Sequence, residues 1–490
     1  CSLFPQVLDE RGVPEPSFAR RGRVRNSLGT VIKSAKRFRE RRKGRGGRRG
    51  VPKLTLPFAQ KGKGEGKGYG SMGEDSRQHN HKVNTRSVAT VQRRKRARGD
   101  DAKINVLILM SDTGGGHRAS AQAIEAAFED LYEGEINVDM VDIWTEHSAW
   151  PTSHSVPAYQ YAAKNPMIWR ALYEYSRFPP TRWWNDKVLH FRNFKRFTEC
   201  IQEYEPDLVI SVHPLCQTLP LRVLKAMGEG GRRELPFVTV VTDLGGAHPT
   251  WFDKEADKVF IASEAVMRVA FHEGVSVSQI HDYGLPIRPA FWDGAMPKEQ
   301  LRAELGIPLE PKAAMVVGGG DGVGGMSAIA AAVIRRLGKD MEQATVVVIC
   351  GKNAAVKAEL ENTDWPSNVN VIINGFVSNM DQWMGAVDCI VTKAGPGTIA
   401  EAAIRGLPIM LSGYLPGQEE GNVPFVVDGG FGDFSRKPQL IASKVSDWFR
   451  NPEMLQRMSA AAIRAAKPNA TYDIAREIGS MMFPVEGELV

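Results

Sequence analysis

A short apolar run followed by three glycines is the feature that most constrains the fold of this chain. The run spans residues 104–110, and Ser-Asp-Thr-Gly-Gly-Gly-His follows it at 111–117. Beyond this turn, apolar residues recur at helical spacing, at Ala121, Ile124, Ala127, Phe128 and Leu131. The pattern predicts a buried strand, a tight glycine turn and an amphipathic helix, which together make one βα unit.

The glycine turn is also a candidate ligand site. In open α/β sheets, ligands bind at the carboxyl ends of the strands. Glycines let a ligand approach the backbone closely, and the free N–H groups of a helix start favour negative charge. His117 lies at that helix start, where the helix dipole disfavours a charged ring, so we expect a neutral imidazole that can accept a proton. A plain βα turn capped by a histidine would show the same residues.

Charge and length divide the chain into parts. A chain of 490 residues is too long for one core,. Residues 1–100 contain 27 Lys and Arg against 8 Asp and Glu, whereas the remainder contains 36 against 48. Five scattered cysteines without a CxxC pair favour a reducing compartment over a disulfide framework or a zinc site,. No apolar run approaches the ~20 residues of a membrane-spanning helix, so we expect any membrane contact to be interfacial.

The basic segment, residues 1–100, is predicted to be disordered because few of its residues could build a core,. Three interpretations compete: nucleic-acid binding, binding to anionic lipid, and an organelle transit peptide with a linker. Nucleic-acid binding is disfavoured because no aromatic platform is interleaved with the basic clusters. A transit peptide with a linker is preferred. A non-catalytic protein that uses this segment to bind a lipid surface or RNA is the alternative function from another class.

Two series of alternating strands and helices follow. The predicted strands of the first are 104–111, 136–143, 207–212, 236–242 and 258–262; those of the second are 313–318, 345–350, 369–373, 387–392 and 408–412. They predict an α/β protein with two Rossmann-like, doubly wound domains that face each other across a cleft. The domains are expected at 101–290 and 291–450, with C-terminal helices at 451–490.

An insertion at 144–200 fits no βαβ unit. It holds 13 of the 40 aromatic residues, and seven Arg and Lys residues are mixed among its later aromatics. Trp and Tyr beside basic residues suit the headgroup boundary of an anionic membrane. The alternative is a helical subdomain with an aromatic core and a solvated basic face. The membrane interpretation is preferred.

Polar and glycine-rich loops follow three strands of the second series. The loop 318–325 reads GxGxxG from Gly320, but the next strand ends without the acidic residue that a dinucleotide ribose needs, so a dinucleotide oxidoreductase is disfavoured,. The loop 393–401 opens a helix whose N–H groups suit a diphosphate, and Glu401 one turn later suits ribose hydroxyls. The polar residues at 415–422 suit a hydroxyl-rich sugar.

These motifs resemble those of a known family. Residues 113–117, the pair 242–243 and Lys-Ala-Gly-Pro-Gly-Thr-Ile-Ala-Glu-Ala-Ala at 393–403 look like GT-B glycosyltransferases related to the bacterial lipid II-forming N-acetylglucosaminyltransferase. Pro-Leu-Cys-Gln at 214–217, His-Pro-Thr-Trp at 248–251 and Pro-Gly-Gln-Glu-Glu-Gly-Asn-Val-Pro at 416–424 resemble the monogalactosyldiacylglycerol synthases of plants. The resemblance covers about residues 104–450.

The resemblance implies an inverting transfer of galactose from UDP-galactose to the free hydroxyl of 1,2-diacylglycerol, at the chloroplast envelope. The alternative is another UDP-sugar-dependent lipid glycosyltransferase, using glucose or N-acetylglucosamine. The resemblance to the plant synthases further implies a monotopic membrane protein, activation by phosphatidic acid and phosphatidylglycerol, and no tightly bound cofactor. We expect no nucleic-acid partner, and the sequence leaves a homodimer open. The absence of an Asp-x-Asp motif argues against a metal bridge to the diphosphate.

The resemblance also assigns roles to residues. His117 is the expected general base, with Asp243 as the next candidate. The expected donor-binding residues are Arg288, Gly319, Gly320, Gly375, Phe376, Val377, Ala394, Gly395, Pro396, Gly397, Thr398, Glu401, Gln418, Glu419, Glu420 and Asn422. The residues expected to bind the acceptor or anionic lipid are Gly115, Gly116, His117, Pro151 and Trp251.

Overall fold

The structure, a computed structural model, describes residues 74–99, 101–294, 296–318 and 325–484. The first 73 residues of the basic segment lie outside this part, as do the expected donor residues Gly319 and Gly320.

Within the described residues, the first domain contains six parallel strands in the order β2-β1-β3-β4-β5-β6. They are β1 (Ile104–Met110), β2 (Ile136–Asp142), β3 (Leu208–Ser211), β4 (Phe237–Val240), β5 (Lys258–Ile261) and β6 (Ile280–Asp282). The main helices around them are α2 (Gly115–Tyr132), α7 (Thr218–Met227) and α8 (Glu264–His272), and a helix α1 (Glu74–Arg98) precedes the sheet.

The second domain repeats this plan with six described strands in the order β12-β11-β10-β7-β8-β9. They are β7 (Ala313–Val317), β8 (Ala344–Ile349), β9 (Val369–Asn374), β10 (Cys389–Lys393), β11 (Ile409–Gly413) and β12 (Gly432–Phe434). Its helices are α9 (Lys298–Leu305), α10 (Met326–Asp340), α11 (Ala354–Glu361), α12 (Met380–Ala386), α13 (Pro396–Ile404), α14 (Asn422–Asp428), α15 (Pro438–Arg450) and α16 (Pro452–Ala465).

Strand β1 shows why these segments form a sheet covered on both faces. Leu107 and Leu109 pack into one apolar cluster, and Val106 and Ile108 pack into another on the opposite face. A parallel strand buried on both faces reads as a continuous apolar run, which is what the sequence shows. The two predicted α/β domains are therefore confirmed. The edge strands β6 and β12, of three residues each, were not predicted.

Helix α1 corrects the prediction of disorder throughout 1–100, because residues 74–98 are helical. Val91 is buried in the core of the first domain. The guanidinium of Arg98 donates to the fully buried carboxylate of Asp207, which precedes β3. Lys95 pairs with Glu135 at 2.8 Å, just before β2. In α1, Arg98 and Lys95 thus pair with acids along the amino edge of the sheet.

The insertion is helical and consists of α3 (Ile143–Glu146), α4 (Ser155–Ala163), α5 (Pro166–Arg177) and α6 (Pro179–Tyr204). The last helix of the chain, α17 (Ala470–Gly479), returns to the first domain, where Ile474 and Ile478 join its core. The helices in the described residues include none with the length and hydropathy to cross a bilayer.

Candidate active site

The carboxyl edges of the two sheets meet at a close contact between the domains. The backbone N–H of Gly245, beyond β4, donates to Oδ1 of Asn422 at 2.6 Å, and Nδ2 of Asn422 donates to the carbonyl of Ala394 at 2.8 Å. A Cβ atom on Gly245 would lie 2.1 Å from the carbonyl carbon of Gly421, so the two backbones touch. The loops that follow β1 and β4 therefore share one cleft with those that follow β10 and β11.

His117 lies in the first turn of α2 and is held by two oxygens. Its Nδ1 atom is 2.8 Å from the carbonyl oxygen of Val212 and 3.1 Å from the hydroxyl of Thr242. Because a carbonyl oxygen can only accept, Nδ1 carries the proton and Nε2 keeps its lone pair. Burial lowers the pKa of His117 to about 4, so the ring is neutral near pH 7. The ring of His117 is therefore neutral, as the sequence predicts, and its role as a general base stays a prediction.

A second histidine packs edge-on against the first. The ring centroids of His117 and His213 are 4.6 Å apart. Nδ1 of His213 accepts the backbone N–H of Leu215 at 3.2 Å, which leaves Nε2 to donate to the hydroxyl of Thr113 at 3.2 Å. Both nitrogens of His213 are engaged, and burial lowers its pKa well below the usual value. His213 therefore supports His117 and the glycine turn. No sequence motif singled it out.

Trp251 is fully buried, and its expected contact with the acceptor or anionic lipid stays a prediction. Its indole Nε1 donates to Oδ2 of Asp243 at 2.7 Å, and its ring centroid lies 6.1 Å from that of His117. A buried indole needs an acceptor, and the carboxylate supplies one. Burial raises the pKa of Asp243 to about 7. Both residues therefore belong to the interior of the cleft beside His117.

The start of α13 is where the sequence places the expected diphosphate site. Gly395 is its N-cap and no side chain caps it, so the first backbone N–H groups are free of side-chain acceptors. Glu401 lies one turn further in, with its Oε1 atom 3.8 Å from the guanidinium of Arg288. Burial raises the pKa of Glu401 to about 7, and the nearby guanidinium opposes that shift. The structure thus brings Arg288 and Glu401 together, as expected of the donor set.

The donor loop, defined here as residues 415–421, is held by its own contacts. Oε1 of Glu419 accepts from Nζ of Lys393 at 2.5 Å, and Oε2 accepts from the backbone N–H of Leu415 at 2.8 Å. Glu419 is buried, whereas Glu420 is exposed and Gln418 partly exposed. The side chains of Glu419 and Asn422 both have protein partners here, and each keeps further hydrogen-bonding capacity beyond these contacts,.

The remaining predicted residues are more dispersed. Phe376 is 73% exposed in the loop after β9, and two strands, β7 and β8, separate that strand from β10. Gly115 and Gly116 form the exposed first turn of α2, and Pro151 is exposed at the start of the insertion. The described residues contain no group of three or more metal-ligating side chains.

Sequence reasoning missed a contact between the insertion and the donor loop. Nε1 of Trp169 donates to the carbonyl of Pro416 at 3.0 Å, and the hydroxyl of Tyr159 donates to Oε1 of Gln418 at 3.4 Å. Both aromatic residues were assigned only to the insertion's lipid or core function. Their partners lie about 250 residues further along the chain, so no local pattern could reveal the pairing.

Known families match both domains. Residues 117–287 match the monogalactosyldiacylglycerol (MGDG) synthase family, and residues 313–478 match the glycosyltransferase family 28 C-terminal domain. The chain is 42% identical over 396 residues to monogalactosyldiacylglycerol synthase 1, chloroplastic, of Arabidopsis thaliana, covering 78% of this chain and 72% of the relative. The chain belongs to the monogalactosyldiacylglycerol synthase family. As a member of that family it is a glycosyltransferase of galactolipid synthesis.

A second MGDG synthase supports the family assignment, and a solved structure supports the fold. The chloroplastic MGDG synthase of Spinacia oleracea is 42% identical over 393 residues, covering 77% of this chain and 72% of the relative. The structure of Acinetobacter baumannii MurG has a TM-score of 0.51 at 15% identity, covering 77% of this chain and 99% of that chain. An identity this low indicates the fold alone, and that fold is the predicted GT-B arrangement of two Rossmann-like domains.

Proposed function

We propose that this MGDG synthase family member transfers galactose from UDP-galactose to the free hydroxyl of 1,2-diacylglycerol, with His117 as the general base. The observation that carries the proposal is the bond from Nδ1 of His117 to the carbonyl of Val212, which leaves Nε2 unprotonated in the cleft. The names of the plant relatives support galactose as the sugar and the chloroplast as the place of the reaction. Within the chloroplast, we infer that the reaction takes place at the envelope surface.

The reaction is a single displacement at the anomeric carbon. The acceptor hydroxyl gives its proton to Nε2 of His117 while its oxygen forms the new bond to the sugar. The bond from the anomeric carbon to the diphosphate breaks, and UDP leaves with that electron pair. Backbone N–H groups at the start of α13 stabilise the negative charge that develops on the leaving diphosphate. One displacement on the face opposite the leaving group inverts the anomeric centre.

The insertion is the surface that we propose for the lipid. Eleven of its large apolar side chains are at least 38% exposed: Trp150, Tyr161, Met167, Ile168, Leu172, Tyr175, Phe178, Trp183, Trp184, Val188 and Phe191. Monomeric soluble proteins seldom expose contiguous apolar patches of more than a few hundred Å². Arg192, Lys195 and Arg196 lie on the same helix as Phe191, so anionic phosphatidylglycerol or phosphatidic acid suits this surface,.

Incubation with nucleotide sugars and lipid vesicles tests the proposed reaction. Residues 74–490, which retain α1, are mixed with UDP-galactose, UDP-glucose or UDP-N-acetylglucosamine and with vesicles of diacylglycerol and phosphatidylglycerol. We expect a β-galactosyl diacylglycerol from UDP-galactose, identified by chromatography and mass spectrometry. A faster reaction with either of the other two sugars would replace galactose with that sugar. No glycolipid from any donor would contradict the proposed enzyme activity.

A further inference from the structure

Helix α5 of the insertion has two different faces. Trp169, Tyr173 and Ser176, at helical spacing i, i+4 and i+7, are partly buried. The other face is exposed, with Met167 at 88% and Leu172 at 50%. Helices with one packed face usually bury it in their own domain, but the packed face of α5 reaches the second domain.

The packed face contacts the donor loop at two consecutive residues. Nε1 of Trp169 donates to the carbonyl of Pro416 at 3.0 Å. The ring of Tyr173 lies against Gly417, where an added Cβ would be 2.5 Å from Cδ1 of that ring. Gly417 has a φ of +82°, a conformation that other residues rarely adopt,. The loop therefore turns at the point where the tyrosine ring covers it.

The same face is anchored to the first domain. The hydroxyl of Ser176 lies 3.0 Å from Nε2 of His248, and the ring of Tyr173 packs edge-on against the same histidine, with centroids 5.1 Å apart. Nδ1 of His248 accepts the backbone N–H of Thr250 at 3.3 Å, so Nε2 carries the proton and donates to Ser176. Helix α5 thus joins the loop after β4 to the donor loop of the other domain.

We propose that α5 is part of the donor site, and that Trp169 and Tyr173 are positioning residues that hold the donor loop in the shape that binds the sugar of UDP-galactose. This inference rests on the proposed function, since it takes the donor to be a nucleotide sugar. The expected contacts to the diphosphate and to the ribose lie elsewhere, at the start of α13 and at Glu401. We therefore expect α5 to affect the binding of the sugar and not the binding of the UDP moiety.

Calorimetry with two ligands separates this role from general destabilisation. Trp169→Phe keeps an aromatic side chain at this position but removes the bond to Pro416 together with the five-membered ring of the indole. We expect it to weaken UDP-galactose binding about fivefold, the factor for one lost hydrogen bond, and to leave UDP binding unchanged. In turnover, KM for UDP-galactose should rise while KM for diacylglycerol stays the same. Ala171→Ser, at an exposed position of the same helix, is the matched control and should change neither nucleotide affinity.

The possible results distinguish a failure of the role proposed for α5 from a failure of the proposed function. Unchanged UDP-galactose affinity in Trp169→Phe, with Tyr173→Leu equally silent, would overturn the role of α5. An equal loss for UDP and UDP-galactose would also overturn it, because that pattern indicates a disturbed domain rather than a positioned loop. A wild-type protein that binds neither ligand would instead contradict the proposed function itself.

Discussion

The Nδ1 atom of His117 lies 2.8 Å from the carbonyl oxygen of Val212, and this contact decides which ring nitrogen can take a proton. The glycine turn after β1 places the histidine, and the end of β3 supplies the carbonyl. Thr242, beyond β4, provides a second oxygen at 3.1 Å. Three neighbouring strands of one sheet therefore fix the orientation of a single imidazole.

The first prediction concerns this base. His117→Ala should lower kcat by about 10²- to 10⁴-fold, the usual contribution of a general base. Its affinity for UDP should remain at the wild-type level, because the proposed diphosphate site is on the other domain. His272→Ala, a change at an 84% exposed ring on α8, is the control and should retain activity. Near-native turnover in His117→Ala would make Asp243 the stronger candidate.

The second prediction concerns Glu401. Glu401→Ala should weaken UDP binding by about 1–3 kcal/mol, the cost of losing hydrogen bonds to a charged group. Burial raises the pKa of Glu401 to about 7, so the carboxylate that we propose as the acceptor of the ribose hydroxyls is present above that pH and lost below it. UDP affinity should therefore fall as the pH drops from 8 to 6. Glu401→Gln is the control, because its side chain does not titrate. Calorimetry should show that its affinity for UDP lacks the fall between pH 8 and 6 that comes from Glu401.

The third prediction concerns the contact between the domains. Gly245→Ala places a Cβ about 2.1 Å from the backbone of Gly421, which forces the two loops apart. Because a displacement of about 1 Å can cost 10²-fold in rate, we expect a large loss of kcat and a larger radius of gyration in X-ray scattering. Gly246→Ala is a matched control, since nothing lies within 4 Å of its added Cβ. Equal activity in the two variants would show that the contact is dispensable.

The fold was predictable where one local pattern defines an element. The apolar run of β1 and the glycine turn before α2 lie next to each other in the chain, so the βα unit and the place of His117 could be read from sequence. The edge strands β6 and β12 are too short to show a period. Helix α1 was missed because its basic residues suggest a solvated tail until Asp207, more than 100 residues later, is seen beside Arg98.

The site was predictable only in its local parts. The start of α13 and Glu401 follow from one loop sequence. The bond between Gly245 and Asn422 joins residues 177 positions apart, and nothing in either motif indicates the other. The burial of Trp251 was not predictable either. Its motif places it in a loop after a strand, but only the structure shows that the carboxylate of Asp243 gives its indole N–H a buried partner.

The fourth prediction concerns the pairing of α1 with the first domain. Asp207→Ala should lower the free energy of unfolding by about 3 kcal/mol, because it removes a fully buried acid that holds Arg98 and Arg94,. Glu234→Ala, which removes the partly exposed partner of Arg93, should cost less than about 1 kcal/mol,. Urea unfolding of both variants measures the difference. Similar values for the two would mean that α1 does not depend on this buried carboxylate.

The pairing of α1 with Asp207 also determines where the basic segment can be deleted in a test of its role. A protein that begins at residue 74 keeps α1 and should retain the stability of the full chain. Removal of residues 1–100 deletes α1 and exposes Asp207, so loss of activity in that variant would report unfolding rather than a role of the basic segment.

The last prediction concerns the lipid surface. Trp183 and Trp184 on α6 are 60% and 61% exposed, and Lys187 lies one turn away, with Nζ 6.0 Å from the ring centroid of Trp183. Replacing both tryptophans with Ser should reduce co-sedimentation with phosphatidylglycerol vesicles by roughly tenfold or more, since each apolar side chain withdrawn from water contributes on the order of 1 kcal/mol. The melting temperature should change little, because neither side chain is in the core.

A second double variant controls for lost surface hydrophobicity in general. Leu309 and Ile463 are exposed to a similar extent, 61% and 60%, but lie on the second domain. Changing both to Ser should leave vesicle binding unaltered. If the tryptophan variant sediments with vesicles as the wild type does, α6 does not contact the lipid. If it unfolds at a much lower temperature, the two rings stabilise the fold, and the lipid must bind another part of the protein.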